Sequence, residues 1–479
     1  MADAAKKDKE ILYFIIYIII AALGWILPPI APITESGMKL LGVFVAAIFG
    51  WSVSASVWPS LLTFALLPFT GLTNLAGVMA LSWGSDTVLF MVFMMAIIAF
   101  MESTGATAYM ASWLMSRKML AGHPWRLIFM ILLVGWALST FCGNFPGMLI
   151  TWGFIYQICD ILGYKPFDKF PNLMIFGVTV MGALSLSTLP WSMNALVILG
   201  SYTASSGQTI NAAHYAAYSL PVGFMCILGF MALCKFVFRL DVTDLKNFTP
   251  DMFDAKDKVL TTERKIAIAT LAVFILVLLI PSLLPTTNPI RIISNTMGLS
   301  IKGALICLVL VFIKVDGKPV FNFEKMVIKG VPWNMMMMII GILSFVGLLG
   351  NADAGISAFL AQIFTPLFQG VSSVIFILLV LAITIFMTNF MINMVVAVIM
   401  LSATLPIAVS MGIDPLQMVY LITLSCTIAF MLPAASAASC VMFANTKWVR
   451  AKDVYLYSVP TILMMAAVAL IWNLILFRF

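Results

Sequence analysis

Apolar stretches that reach the thickness of a bilayer recur along this chain, and that leaves few folds open to it. The first, Ile11 to Ile30, is about 20 residues and so roughly 30 Å of helix, enough to cross the hydrocarbon core. It is too long, and lacks the small-residue cleavage site, for a removable signal peptide. With 63% of residues hydrophobic, 9% charged and a mean hydropathy of +1.10, the surface to be hidden exceeds what a soluble fold of this length buries, so the solvent is lipid. Lipid offers the backbone no partners, which selects helices. The seven Cys residues lie in or beside apolar runs with no paired spacing and read as free, small apolar side chains.

Two amides interrupt this background. Ser139-Thr140-Phe141-Cys142-Gly143-Asn144 and Thr388-Asn389-Phe390-Met391-Ile392-Asn393 each place an Asn five residues after a hydroxyl, in the middle of a long apolar run. An amide there is costly unless something needs it. One such Asn reads as an interhelical contact, but these two share their surroundings. Gly163 and Pro166 follow Asn144 at the intervals that separate Gly412 and Pro415 from Asn393. Tyr218-Ser219-Leu220-Pro221 answers Tyr457-Ser458-Val459-Pro460. Long-range self-similarity marks a duplicated unit, and in a membrane chain it points to a transporter whose site lies where the repeats meet.

The basic residues set the topology. Lys6, Lys7 and Lys9 precede the first run, and later clusters are Arg117 to Arg126, Lys165 with Lys169, Lys314 to Lys329, and Lys447 to Lys452. Placed inside, they give eleven crossings with a cytoplasmic N-terminus and an outer C-terminus; Arg291 alone falls in an outer turn. The net charge of +7 therefore reports orientation in a cell membrane, not a nucleic-acid partner. The run 127–162 has basic residues at both ends and a polar tip, so it reads as a re-entrant hairpin entered from the cytoplasm, each arm about 15 residues. The run 371–411, between loops free of Lys and Arg, reads as its counterpart entered from outside. The expected organisation is 1–82 as N-terminal scaffold, 83–238 as first repeat, 239–265 as a cytoplasmic linker, 266–330 as further scaffold and 331–479 as second, inverted repeat. Pro190 and Pro433-Ala434-Ala435-Ser436 are expected to break a span in each repeat.

These features resemble the divalent anion:sodium symporter (DASS) family of INDY-type dicarboxylate transporters. Glu102-Ser103-Thr104-Gly105 is similar to that family's Glu-Lys-Thr-Gly, and Phe386-Met387-Thr388 and Ala429-Phe430-Met431-Leu432-Pro433 resemble its segments before the second tip and second break. Its Ser-Asn-Thr tips correspond to Gly143-Asn144-Phe145 and Ile392-Asn393-Met394, so both amides are kept and the flanking hydroxyls are not. Its Thr-Pro-Pro-Asn breaks correspond to Trp191-Ser192-Met193-Asn194 and Ser436-Ala437-Ala438-Ser439. The resemblance implies an all-α fold of eleven crossings and two hairpins in inverted repeats, a homodimer formed through scaffold helices, an elevator-like movement, and sodium-site hydroxyls at Ser139 and Thr388.

The chemistry of the residues agrees. Asn donates to a carboxylate without a charge to desolvate, and helix N-termini at tips and breaks add N–H donors. Gly143, Asn144, Phe145, Ser192, Asn194, Ile392, Asn393, Met394, Ser436 and Ser439 form the expected set for a small anionic substrate. Ser139, Asn144, Thr388, Asn393 and the freed carbonyl of Ala435 are the expected oxygen ligands of Na⁺. Phe145 and Trp191 are placed to stack on a larger organic anion, and Glu102 and Asp353 read as local caps. Both His residues fall in loops, and no HExxH, GxSxG or GxxxxGK[ST] motif occurs, so an intramembrane enzyme or a built-in ATPase is not indicated. A sodium-independent anion exchanger on the same scaffold is the alternative.

Overall fold

The structure, a computed structural model, describes residues 2–54, 56–249, 259–349, 351–356, 358–359, 362, 371–433 and 435–477. The middle of the expected linker and Ala434 of the second break lie outside these residues. Apart from a small hairpin pairing Lys314–Val315 with Lys318–Pro319, the described secondary structure is helical. The chain is an all-α polytopic membrane protein.

The first helices are α1 (Ala2–Ile26) and α2 (Glu35–Val53). A Cβ at Gly24 would lie 2.7 Å from the Met38 carbonyl and 3.0 Å from Gly42 Cα, so their backbones touch where both sides are glycine. Small residues let membrane helices associate in this way when lipid supplies no hydrophobic drive. The next apolar stretch is broken into α3 (Trp58–Leu66) and α4 (Leu75–Leu81), around Pro68 and the left-handed Gly71. The one after it also breaks, into α5 (Asp86–Ser103) and α6 (Ala106–Met115), at Gly105 with φ 69°. The polar stretch Glu102-Ser103-Thr104-Gly105 marks that interruption in the sequence.

The next pair, α7 (Pro124–Cys142) and α8 (Asn144–Leu162), has arms of 19 residues each. They are longer than the roughly 15 residues drawn from the apolar halves. Helix α7 begins earlier than the apolar run, at Pro124, and both arms reach the tip, where Gly143 alone turns the chain, with φ 97° and ψ 142°. Side chains rarely adopt that φ, which suits glycine, and the polar residues on either side are helix. Then come α9 (Lys169–Ser185), α10 (Met193–Ser206) and α11 (Ala212–Ala232).

Two long helices follow, α12 (Thr262–Leu283) and α13 (Pro289–Phe312). The latter bends at Gly298 (φ 65°, ψ −167°). Asp86 caps the new half, accepting from the N–H groups of Leu299 and Ser300, each at 2.8 Å, and from the Ser300 hydroxyl. Arg291 lies within the first half of α13, not in an outer turn, and donates to the Leu284 carbonyl at 2.6 Å. The basic stretch before the ninth expected crossing forms an amphipathic helix, α14 (Phe323–Gly330), bent by 80° from α15 (Trp333–Leu349). The second repeat continues as α16 (Ser373–Thr388), α17 (Asn393–Ser410), α18 (Pro415–Ser425), α19 (Ala437–Ala444) and α20 (Ala451–Leu476).

Nine described helices are long and apolar enough to cross a bilayer, and the bent pair makes a tenth. Other expected crossings are assembled from shorter pieces, α9 with α10 and α18 with α19. The core sits on those pieces. From Phe170 to Ser185 every residue of α9 is buried, as is every residue of α18 from Gln417 to Ser425. Helix α9 packs on α7, α8 and α19, while α18 packs on α16, α17 and α10. The entering half of each broken helix thus lies against the leaving half of the other, and α11 packs along α20.

Candidate functional site

At the first tip, the side-chain oxygen of Asn144 is buried and has no hydrogen-bond partner. Ser139 Oγ donates to the Asn144 backbone carbonyl at 3.3 Å. A Cβ at Gly182 of α9 would stand 2.9 Å from Asn144 Oδ1 and 3.6 Å from Ser139 Oγ. The absent side chain lets the fully buried helix come up against the tip. Leaving a buried acceptor unpaired costs about 1–3 kcal/mol, so this oxygen is poised for a ligand.

The second tip is tied down. Thr388 Oγ1 lies 3.0 Å from Asn393 Oδ1 and 2.6 Å from the Cys426 carbonyl. A hydroxyl has one proton, so it serves only one of those two oxygens, and three hard oxygens meet with a single hydrogen among them. Asn389 staples the same tip to the break. Its Nδ2 donates to the carbonyls of Ile385 and Ile428, both at 2.9 Å, and its Oδ1 accepts from Met431 N–H at 3.0 Å. Thr388, Asn389 and Asn393 are all buried.

The first break runs from Leu186 to Ser192. Its freed carbonyls are met by hydroxyls from α11: Tyr215 donates to Ser187 O at 2.6 Å and Ser219 to Thr188 O at 2.5 Å. Trp136 of α7 donates to Thr188 Oγ1 at 2.9 Å. Ser192 Oγ is spent locally, accepting from Leu189 N–H at 3.0 Å. Asn194, at the start of α10, is buried, and its Nδ2 has no partner. The first repeat thus holds an orphaned acceptor, Asn144 Oδ1, at its tip and an orphaned donor, Asn194 Nδ2, after its break.

In the second break, Ser436 caps α19 by accepting from Ser439 N–H at 3.1 Å, and Ser439 donates to Leu432 O at 2.7 Å. Ala435 is buried, with its N–H on Leu432 O at 3.0 Å. Of the other expected residues, Met394 is buried, while Gly143, Phe145 and Ile392 are half-buried. Trp191 is not free to stack on a ligand: it is buried and packs edge-on against Phe274 of α12, ring centres 6.0 Å apart. Each tip is bonded within its own repeat. Among the described residues no group of three or more His, Cys, Asp and Glu side chains converges. Sequence reasoning missed Gly182, the Cys426 carbonyl and Asn389; only the last left a signal, a second amide within the same hexapeptide.

A family model described as citrate transporter matches residues 44–425, a stretch that includes both tips and the first break. The chain belongs to the citrate transporter family. No curated protein matches it. Among solved structures it resembles the YdaH transporter of Alcanivorax borkumensis, with a TM-score of 0.61 at 13% identity over 92% of this chain and 97% of that one. It also resembles MtrF of Neisseria gonorrhoeae, described as illuminating a class of antimetabolite efflux pumps, with a TM-score of 0.54 at 13% identity over 97% and 94% of the two chains. At that identity the likeness is one of fold. The protein is a multi-pass secondary transporter of organic anions, and not an enzyme.

Proposed function

We propose that this chain carries a citrate-like di- or tricarboxylate together with Na⁺, by elevator-like movement of the part holding the hairpins and broken helices. The observation that carries the reading is the pairing of each tip Asn with a cluster of under-satisfied oxygens. Ser139 and Asn144 supply it in the first repeat, and Thr388, Asn393 and the Cys426 carbonyl in the second. Neutral oxygens in a dry site suit a small hard cation, and that cation offsets the charge of an anion bound by Asn194 and the N-terminal amides of α8, α10, α17 and α19. Phe145 and Met394 replace hydroxyls and leave an apolar wall, which fits a substrate with a carbon backbone between its carboxylates. The Ser-Asn-Thr correspondence belongs to this reading. So do re-entry of the two hairpins from opposite sides, a cytoplasmic N-terminus, the cell membrane and a homodimer joined through scaffold helices.

The test is uptake of labelled citrate into proteoliposomes under an inward Na⁺ gradient. Uptake is expected to fall to background when choline replaces Na⁺ and to be competed by other tricarboxylates and dicarboxylates. Undiminished uptake in choline would defeat Na⁺ coupling and favour the exchanger, which is then recognised by its need for an anion on the far side.

A further inference from the structure

We propose that the groove between α12 and α13 binds an anionic membrane lipid, with its acyl chains along the groove and its phosphate at Lys302. The groove encloses about 820 Å³, the size of a ligand site and not of a packing defect. Its walls are apolar, among them Val273 and Val277 of α12 and Leu305 and Val309 of α13. Three polar residues break that surface, Thr270, Ser294 and Lys302, and the Thr270 hydroxyl is spent on the Ile266 carbonyl at 2.8 Å. The Ser294 hydroxyl is buried without a partner. Lys302 keeps only 9% of its surface exposed, and among the described residues neither a hydrogen bond nor an ion pair engages it; the one described ion pair joins Lys39 to Glu35.

A lysine at membrane depth is costly and calls for a partner. Asp86, the carboxylate that α5 brings to this part of α13, already accepts from Leu299 and Ser300. Lysine side chains on a helix lean toward its N-terminus, here toward the bend at Gly298, and Lys302 is one of the residues that line the groove. An apolar trough with one cation on its wall matches an amphiphile with an anionic head, as basic pockets between membrane helices do. A second copy whose twofold axis passed at Lys302 would set that lysine against its own equivalent, like charge on like. This site stands apart from the tips, and its test does not depend on the transport reading.

Purified protein in nanodiscs of phosphatidylcholine with a minor fraction of phosphatidylglycerol, analysed by native mass spectrometry, reads the retained lipid directly. Phosphatidylglycerol is expected to be enriched roughly fivefold over its share. Lys302→Gln should abolish the enrichment and Lys302→Arg should keep it, whereas Val277→Trp, which fills the trough, should release both lipids. Equal retention of the two lipids by the parent, or enrichment that survives Lys302→Gln, would overturn the proposal. Disulfide formation between copies carrying Leu305→Cys would also overturn it, by assigning the face to a protein interface. Should Lys302→Gln fail to fold, retention of phosphatidylglycerol by Val277→Trp decides in the same sense.

Discussion

The two hairpin tips descend from one pattern and are held in different states. In the first, the turn is a single glycine, the Asn144 carboxamide oxygen is unpartnered, and the neighbouring Thr140 hydroxyl turns back onto its own helix at Trp136 O, 2.7 Å away. In the second, the turn takes four residues, Asn393 is bonded to Thr388, and Asn389, the counterpart of Thr140, ties the tip to the break. The second tip is held by several bonds to the protein, although its oxygens outnumber their protons, while at the first the Asn144 oxygen has no partner at all. A duplicated pattern need not be held symmetrically, and on the proposed reading the second repeat supplies the preformed half of the site and the first the ligand-dependent one.

The widest separation should appear with Asn144→Ala and Asn393→Ala. A hydrogen bond to a charged group is worth about 1.5–3 kcal/mol, so each change is expected to cut uptake roughly 10- to 150-fold even at saturating Na⁺. Their stabilities should diverge. Asn144 gives up no side-chain bond, so its variant should melt with the parent, whereas Asn393→Ala frees Thr388 and should melt earlier. Equal melting in the two variants would erase the contrast.

A smaller effect is expected from Asn389→Thr, which gives the second tip the residue of the first. Met431 N–H and the Ile428 carbonyl then lose their partner in a buried place, at a cost of about 1–3 kcal/mol. The reciprocal control, Thr140→Val, removes only a back-bond to its own turn and should be close to neutral. A thermal melt of both reads the difference; a neutral Asn389→Thr would mean that the staple holds nothing.

How far these differences were legible follows from what kind of signal each one leaves. Hydropathy located nearly every membrane helix, because lipid imposes length and apolarity on all of them alike. Tip and break positions were readable from Asn144, Asn393, Pro190 and Pro433, since polar atoms and missing donors are conspicuous in hydrocarbon. The one-residue turn at Gly143 was not, because its polar neighbours look like a loop until the backbone is seen to run as helix through them. Gly105 and Gly298 break helices beside short polar stretches, Glu102-Ser103-Thr104 and Ser294-Asn295-Thr296, that mark an interruption without saying that helix resumes at once on both sides. Gly182 and the Cys426 carbonyl were invisible for another reason: one acts by lacking a side chain, the other through its backbone, and neither role depends on a residue type that stands out. Ser192, Ser436 and Ser439 were singled out correctly as residues of the breaks, yet their side chains are spent on the breaks themselves.

The finest test of the asymmetry lies in the two hydroxyls, Ser139 and Thr388. Ser139 is joined to its tip by one 3.3 Å bond to a backbone carbonyl, while Thr388 sits at 3.0 and 2.6 Å from oxygens on two different segments. Removing either takes one neutral oxygen from a proposed Na⁺ site, and a net hydrogen bond of about 0.5–1.5 kcal/mol corresponds to a roughly two- to tenfold weaker apparent Na⁺ affinity. Ser139→Ala is expected at the low end of that range, with the melting temperature unchanged, because little structure depends on its bond. Thr388→Ala is expected at the high end and with a lower melting temperature, since the Cys426 carbonyl loses the only donor described for it. Na⁺ titrations of uptake beside thermal melts measure both quantities on the same preparations. A Ser139→Ala protein that melts early while Thr388→Ala does not would reverse the assignment, making the first tip the preformed half.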